Sequence, residues 1–113
     1  MALNVTQLTL LAKTDEDIPN SFCAWLTNNF HVWEAFEAES FKIINKGFKH
    51  YSARTIIHYL RHHTAVEENG SAFKIMNGHS PYLARLFALV YPDHKEIFSY
   101  HKVVVANKER KKE

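Results

Sequence analysis

Hydrophobic positions recur at helical spacing through the middle of the chain. When residues 31–46 are turned by about 100° per residue, one side collects Trp33, Phe36, Ser40, Ile43 and Ile44. Glutamates crowd the first turns of this segment and lysines its last turn, which matches the helix dipole. Gly47 follows at the position where a C-terminal cap favours positive φ. The pattern predicts a helix over residues 31–46.

A second amphipathic helix is predicted from Ser52, a good N-cap residue, to about His63. Its apolar face consists of Ala53, Ile56, Ile57 and Leu60. Its opposite face, within about 120° of arc, consists of Arg54, Thr55, His58, Arg61 and His62, with Tyr59 and His63 at the boundary. Two helices separated by about five residues, the second one amphipathic and basic, are typical of a helix-turn-helix.

The other helical signals lie on either side of this pair. A helix starting at Pro19 and Asn20 carries apolar residues at a spacing of four, and residues 81–91 are apolar on nearly every side. We expect residues 81–91 to form the central buried helix, with Ser80 as N-cap, Pro81 at its first position and Pro92 at its end. A short turn or helix containing Ile97 and Phe98 follows.

Several short segments favour β-structure. Residues 64–66 and 72–76 are β-compatible and flank Asn69-Gly70, a strong hairpin signal, while residues 102–106 are suited to an edge strand. Residues 1–12 do not discriminate between strand, helix and arm. We therefore predict a mainly α domain with a small β-hairpin, an α+β fold of the winged helix-turn-helix type. It spans residues 1–113, with 1–17 as an N-terminal arm and 107–113 as a charged, flexible tail.

Composition is compatible with one globular domain. The 113 residues are 46% hydrophobic and 13% aromatic, which suffices for a core without disulfides. Cys23 is the single cysteine and is interpreted as a core residue in a reducing compartment. Neither a basic, apolar leader nor an apolar run of membrane-spanning length is visible, so we expect a cytoplasmic protein.

The distribution of charge is more informative than the net charge of +2. Between Glu39 and Glu67 every charged side chain is basic, and histidines are interleaved. Lysine and arginine neutralise phosphates, and arginine also pairs with guanine in the major groove of DNA. We therefore predict that the basic helix face (Arg54, Thr55, His58, Arg61 and His62) enters the groove. Residues predicted to hold backbone phosphates are Lys42, Lys46, Lys49, His50 and the wing residue Lys74.

Metal binding and catalysis have weaker support. His58 and His62 have a spacing that can bind zinc, but no glutamate or cysteine pair accompanies them, and Arg54 and Arg61 repel a cation. No phosphate loop, GxSxG or HExxH motif occurs, and the acid-free centre lacks the carboxylates that Mg²⁺ needs. We predict no enzymatic activity, no cofactor and no metal. Arg85 is expected to pair with a loop carbonyl or a carboxylate such as Glu67 or Asp93; a phosphate or partner contact is the alternative.

The stretch "SARTIIHYLR … FKIMNGHSPYLARLFALVYPDHKEIF" resembles a family of small proteins encoded by bacteriophages and prophages, over roughly Phe36 to Phe98. The pieces that carry the resemblance are Ser52-Ala53-Arg54, Arg61, Phe73-Lys74-Ile75 with Asn77, and Pro81 through Arg85. The resemblance implies a phage or mobile-element origin and supplies no catalytic residue.

The leading hypothesis is a non-enzymatic double-stranded DNA-binding protein, a phage regulator or accessory factor. A solvated helix face without a ligand is the simplest alternative. A second is a protein-interaction module, such as a phage inhibitor that uses the same face on an acidic host or defence protein. RNA binding is a third, which an exposed aromatic platform would favour. A homodimer would fit the leading hypothesis, with residues 1–12 or 102–106 as candidate interfaces.

Overall fold

The computed structural model of this protein describes residues 3–64 and 77–98 of the chain. Within these ranges five α-helices form: α1 (Val5–Ala12), α2 (Asn20–Asn28), α3 (Phe30–Asn45), α4 (Ala53–His63) and α5 (Ser80–Val90). Two 3₁₀ segments, Asn77–His79 and Pro92–Phe98, flank α5. None of these helices combines the length and the apolar character that a transmembrane segment requires.

Residues 3–17 contain a packed helix instead of an arm. The Asn4 side chain accepts a hydrogen bond from the Gln7 amide (2.8 Å), and the Gln7 side chain accepts one from the Asn4 amide (3.0 Å). This reciprocal cap satisfies two backbone donors and fixes the start of α1. Leu8 and Ala12 are then fully buried against α2 and α5. The sequence of residues 1–12 is compatible with either a strand or a helix. The reciprocal cap stabilises the helix.

The two predicted amphipathic helices are confirmed as α3 and α4. Gly47 adopts a φ of 96°, the left-handed cap conformation that ends α3. The Ser52 hydroxyl accepts a hydrogen bond from the Thr55 amide (3.2 Å) and starts α4. The predicted apolar face of α4, Ala53, Ile56, Ile57 and Leu60, is buried.

Helix α5 is central, as its apolar sequence predicted. It packs against α1, α3, α4 and both 3₁₀ segments. Phe87 is fully buried and touches aromatic rings from α3, from the end of α5 and from the second 3₁₀ segment: Trp33, Phe36, Phe41, Tyr91 and Phe98. These five rings and Phe87 thus form one aromatic cluster around α5.

Two polar contacts tie α5 to its surroundings. The Arg85 guanidinium lies 2.7 Å from a carboxylate oxygen of Asp17 and 3.4 Å from one of Asp15. The prediction that Arg85 pairs with a carboxylate is confirmed, but the acids come from the α1–α2 connection. The Tyr91 hydroxyl donates a hydrogen bond to the Glu37 carboxylate on α3. Burial, this hydrogen bond and the carboxylate charge together raise the pKa of Tyr91 to about 12.

The prediction of an α+β, winged helix-turn-helix fold is wrong. Every regular element in residues 3–64 and 77–98 is helical, and no strand occurs there. The α3–α4 connection, residues 46–52, also exceeds the turn of about three or four residues in a helix-turn-helix. The segments that suggested a hairpin and an edge strand, 65–76 and 102–106, lie outside the described residues, as does the tail at 107–113. A short run of β-compatible residues does not determine by itself whether a strand forms, because strand preference depends on the neighbouring strands.

Candidate nucleic-acid interface

Helix α4 presents its predicted polar face to solvent. Arg54, Thr55, His58 and His62 are exposed, and Arg61 is half-buried. The helix carries no acidic residue, and its last turn contains Arg61, His62 and His63. The exposed cationic side of α4 is called the basic ridge below. At about 1.5 Å per residue it is roughly 16 Å long.

The α3–α4 connection extends this basic surface beyond the N-terminus of α4. Lys46, Lys49 and His50 are all exposed there. The connection is anchored to the second 3₁₀ segment, because the Tyr51 amide donates to the Ile97 carbonyl (2.8 Å) and the His50 ring lies 3.2 Å from the Glu96 carbonyl oxygen. The lysines therefore project from a backbone that is held in place.

Carboxylates reach the same surface from other elements. Glu39 on α3 lies 3.7 Å from the Lys42 ammonium and lines a groove together with side chains of α4. Asp93 and Glu96 line a second cavity with Lys49. The acid-free stretch between Glu39 and Glu67 is therefore not an acid-free surface. Folding places negative charge beside α4, through Glu39, and beside Lys49 of the connection, through Asp93 and Glu96.

The groove between α3 and α4, called the α3–α4 groove below, has a volume of about 250 Å³. The groove lies on the α3 side of the basic ridge. It is lined by Glu39, Ile43, Tyr51, Thr55, Ile56, His58, Tyr59 and His63. The two isoleucines are buried and form an apolar floor. The rim is polar and partly aromatic.

Exposed aromatic rings border the basic ridge. The Tyr59 and His63 rings stack with centroids 5.3 Å apart and an interplanar angle of 26°, and Tyr59 is 41% exposed. Phe48, in the connection, is 50% exposed and contacts Tyr51 edge to face. Apolar surface of this kind loses contact with water when a flat ligand stacks on it. Exposed rings of this kind are surfaces on which unpaired bases can stack.

The histidine pair on α4 is close but is not part of a larger ligand set. The His58 and His62 rings lie with centroids 4.4 Å apart. No group of three or more histidine, cysteine or carboxylate side chains with metal-binding geometry occurs among residues 3–64 and 77–98.

The structure brings most of the predicted interface together. Lys46, Lys49 and His50 are exposed in the connection that leads into α4, whereas Lys42 lies beside Glu39 and is 68% exposed. Lys74 lies outside the described residues. The sequence interpretation missed that Glu39, on α3, lies beside the polar face of α4. Its spacing from Ile43, one helical turn, was the available signal that it borders the buried stripe of α3.

No protein-family model matches this chain, and no curated protein and no solved structure matches it either.

Proposed function

We propose that this protein binds double-stranded DNA, without catalysing a reaction on it, through the basic ridge of α4 and the adjacent lysines. The observation that carries the proposal is the continuous exposed face of Arg54, Thr55, His58 and His62 on a helix without acids. The wing is not part of the proposal, because the described fold is helical. The resemblance to phage-encoded proteins supports a role as a phage regulator or accessory factor.

The dimensions of α4 support insertion into DNA. The major groove is about 12 Å wide and admits one α-helix. An arginine side chain can pair with the two acceptors of guanine, and threonine and histidine provide shorter contacts to base edges. Lys46 and Lys49 precede α4 in the chain and are exposed, so that they can reach the phosphates at the groove edge.

Electrostatics determine the expected salt dependence of the affinity for DNA. Each neutralised phosphate contributes about −0.9 to the slope of log affinity against log salt. On a random sequence Arg54 and Arg61 can neutralise phosphates instead of pairing with guanine. Together with Lys42, Lys46 and Lys49 they then give a slope of about −4 when the competition of Glu39 for Lys42 is allowed for. Affinity should then fall about 250-fold between 50 and 200 mM salt.

The test is fluorescence anisotropy of a labelled random-sequence duplex, titrated with protein at several salt concentrations. The double variant Arg54→Ala/Lys49→Ala removes two exposed cations of the surface. We expect weaker binding and a slope reduced by about one unit for each lost contact. Lys13→Ala removes one exposed lysine at the end of α1, outside the proposed interface, and should leave the slope unchanged; it controls for the loss of a surface cation.

Two results would contradict the proposal. One is the absence of duplex binding at low salt, and the other is an unchanged slope in the double variant. A surface that binds no DNA but captures an acidic protein through Arg54 would instead support the protein-interaction alternative. Circular dichroism of each variant verifies that helix content is retained.

A further inference from the structure

We infer that the α3–α4 groove receives one unpaired guanine base of the DNA held by α4. The inference rests on the proposed function and names the form of DNA that fits the surface: a duplex with an extrahelical base beside the contacted groove. It follows from the size, the aromatic rim and the single carboxylate of the groove.

Size restricts the occupant to a fragment. Pockets for whole drug-sized ligands have volumes of about 300–1,000 Å³. At about 250 Å³ the α3–α4 groove is smaller and open along α4. It fits one ring system that belongs to a larger ligand. A base attached to a bound strand meets this description.

The aromatic rim provides a stacking partner. Tyr59 and His63 stack on each other along the exposed side of α4, and Tyr59 retains 41% of its accessible surface. Both residues line the groove, together with Ile43 and Ile56 of its apolar floor. Bases stack on exposed aromatic side chains irrespective of their identity, because every base has a π-face.

Glu39 provides the selectivity. Its side chain is 19% exposed, lines the groove and accepts no hydrogen bond from the described part of the chain. Lys42, at 3.7 Å, is beyond hydrogen-bonding distance. A carboxylate beside a DNA-binding surface repels the phosphates of the backbone. It stabilises the complex only if hydrogen-bond donors of a base contact it. Its two oxygens accept two parallel hydrogen bonds.

Guanine is the base that matches a carboxylate. Its Watson–Crick edge carries two adjacent donors, the ring N1–H and the exocyclic amino group, whereas cytosine and adenine offer an amino group alone and thymine a single ring N–H. In a paired duplex those donors are occupied by cytosine. The base must therefore be unpaired, and unstacked bases read on this edge and held by aromatic rings are a common mode of recognition.

The experiment compares duplexes that differ at one position. Labelled duplexes of one sequence are prepared fully paired and with a single central extrahelical guanine, adenine, cytosine or thymine, and anisotropy is measured at one low salt concentration. The extrahelical adenine, cytosine and thymine should gain only from stacking, which at about 1–3 kcal/mol per base tightens binding about fivefold to 150-fold over the paired duplex. We expect the extrahelical guanine to bind about tenfold tighter than the extrahelical adenine, because of its added hydrogen bond to the carboxylate.

Two variants separate the contributions. Glu39→Gln should abolish the preference for guanine over adenine while retaining tighter binding of all extrahelical bases, and Tyr59→Ala should reduce that binding for every base. Glu34→Gln, an exposed glutamate on the same helix, controls for the change in charge, and Leu10→Ala controls for the loss of exposed apolar surface.

The outcomes distinguish this inference from the proposed function. Equal affinity for the paired and guanine-containing duplexes overturns the inference and leaves duplex binding intact. A guanine preference that survives Glu39→Gln overturns the role of the carboxylate. Failure to bind any duplex overturns both. Loss of the preference in Glu39→Gln alone, with paired-duplex affinity changed no more than in Glu34→Gln, supports the inference.

Discussion

Replacing Phe87 by alanine should remove the centre of the aromatic core. Phe87 is fully buried on α5, and its ring lies between 5.1 and 6.4 Å, centroid to centroid, from five other aromatic rings. Truncation of a buried phenylalanine costs about 3–5 kcal/mol, the larger values applying where the surroundings cannot collapse into the cavity. The rings around Phe87 come from α3, from Tyr91 at the end of α5 and from the second 3₁₀ segment, so that closing the cavity would require several elements to move together. We expect a loss of about 4 kcal/mol.

A loss of about 4 kcal/mol is a large part of the free energy of unfolding of a chain of this size. At about 0.05–0.15 kcal/mol per residue, the free energy of unfolding is roughly 6–17 kcal/mol. The entropy of unfolding at this length makes 1 kcal/mol equivalent to about 4 °C in Tm, so Phe87→Ala should lower Tm by about 16 °C. Urea unfolding monitored by circular dichroism gives the free energy, and a thermal scan gives Tm.

Two control substitutions complete the experiment. Phe87→Leu keeps most of the volume and should cost under about 1.5 kcal/mol. Phe48→Ala removes a phenylalanine that is 50% exposed and should cost under about 0.5 kcal/mol. A loss in Phe87→Ala of less than about 1.5 kcal/mol would refute the reasoning, because a tightly packed central ring cannot be removed so cheaply.

Two further predictions concern the polar contacts of α5. Tyr91→Phe should cost about 1–2 kcal/mol at pH 7, because the Glu37 carboxylate loses its donor. Since folding raises the pKa of Tyr91 from 10.0 to about 12, the native hydroxyl contributes fully below pH 10 and its contribution declines as pH rises from 10 towards 12. Urea unfolding of both proteins at pH 8, 10 and 11.5 should show the difference between them shrinking; a difference that grows with pH would contradict the assignment. Arg85→Met should cost about 1 kcal/mol, because Asp15 and Asp17 lose their cation at a partly exposed site. The cost should decrease in 1 M salt, and a cost that does not change with salt would exclude an ionic origin.

Local signals in the sequence determined most of the helices. A serine N-cap, a glycine C-cap and apolar positions at helical spacing were enough to place α3 and α4, because each signal acts within one or two turns of backbone. The same periodicity separated the buried face of α4 from its basic face. The almost entirely apolar segment before Pro92 identified α5 as the central helix, since a helix with so little polar surface needs neighbours on most of its sides.

Tertiary structure decided what local signals could not. The winged-helix prediction depended on how segments pair with one another, and the described chain is helical throughout its regular elements. Arg85 pairs with acids that precede it by about seventy residues, a separation that spacing rules do not reach. The sequence shows only the order of the charges along the chain. The charge that a ligand meets depends on which helices lie side by side. Because α3 packs on α4, Glu39 stands at the edge of the cationic ridge and forms, with Tyr59, the groove that distinguishes this surface from a simple basic helix.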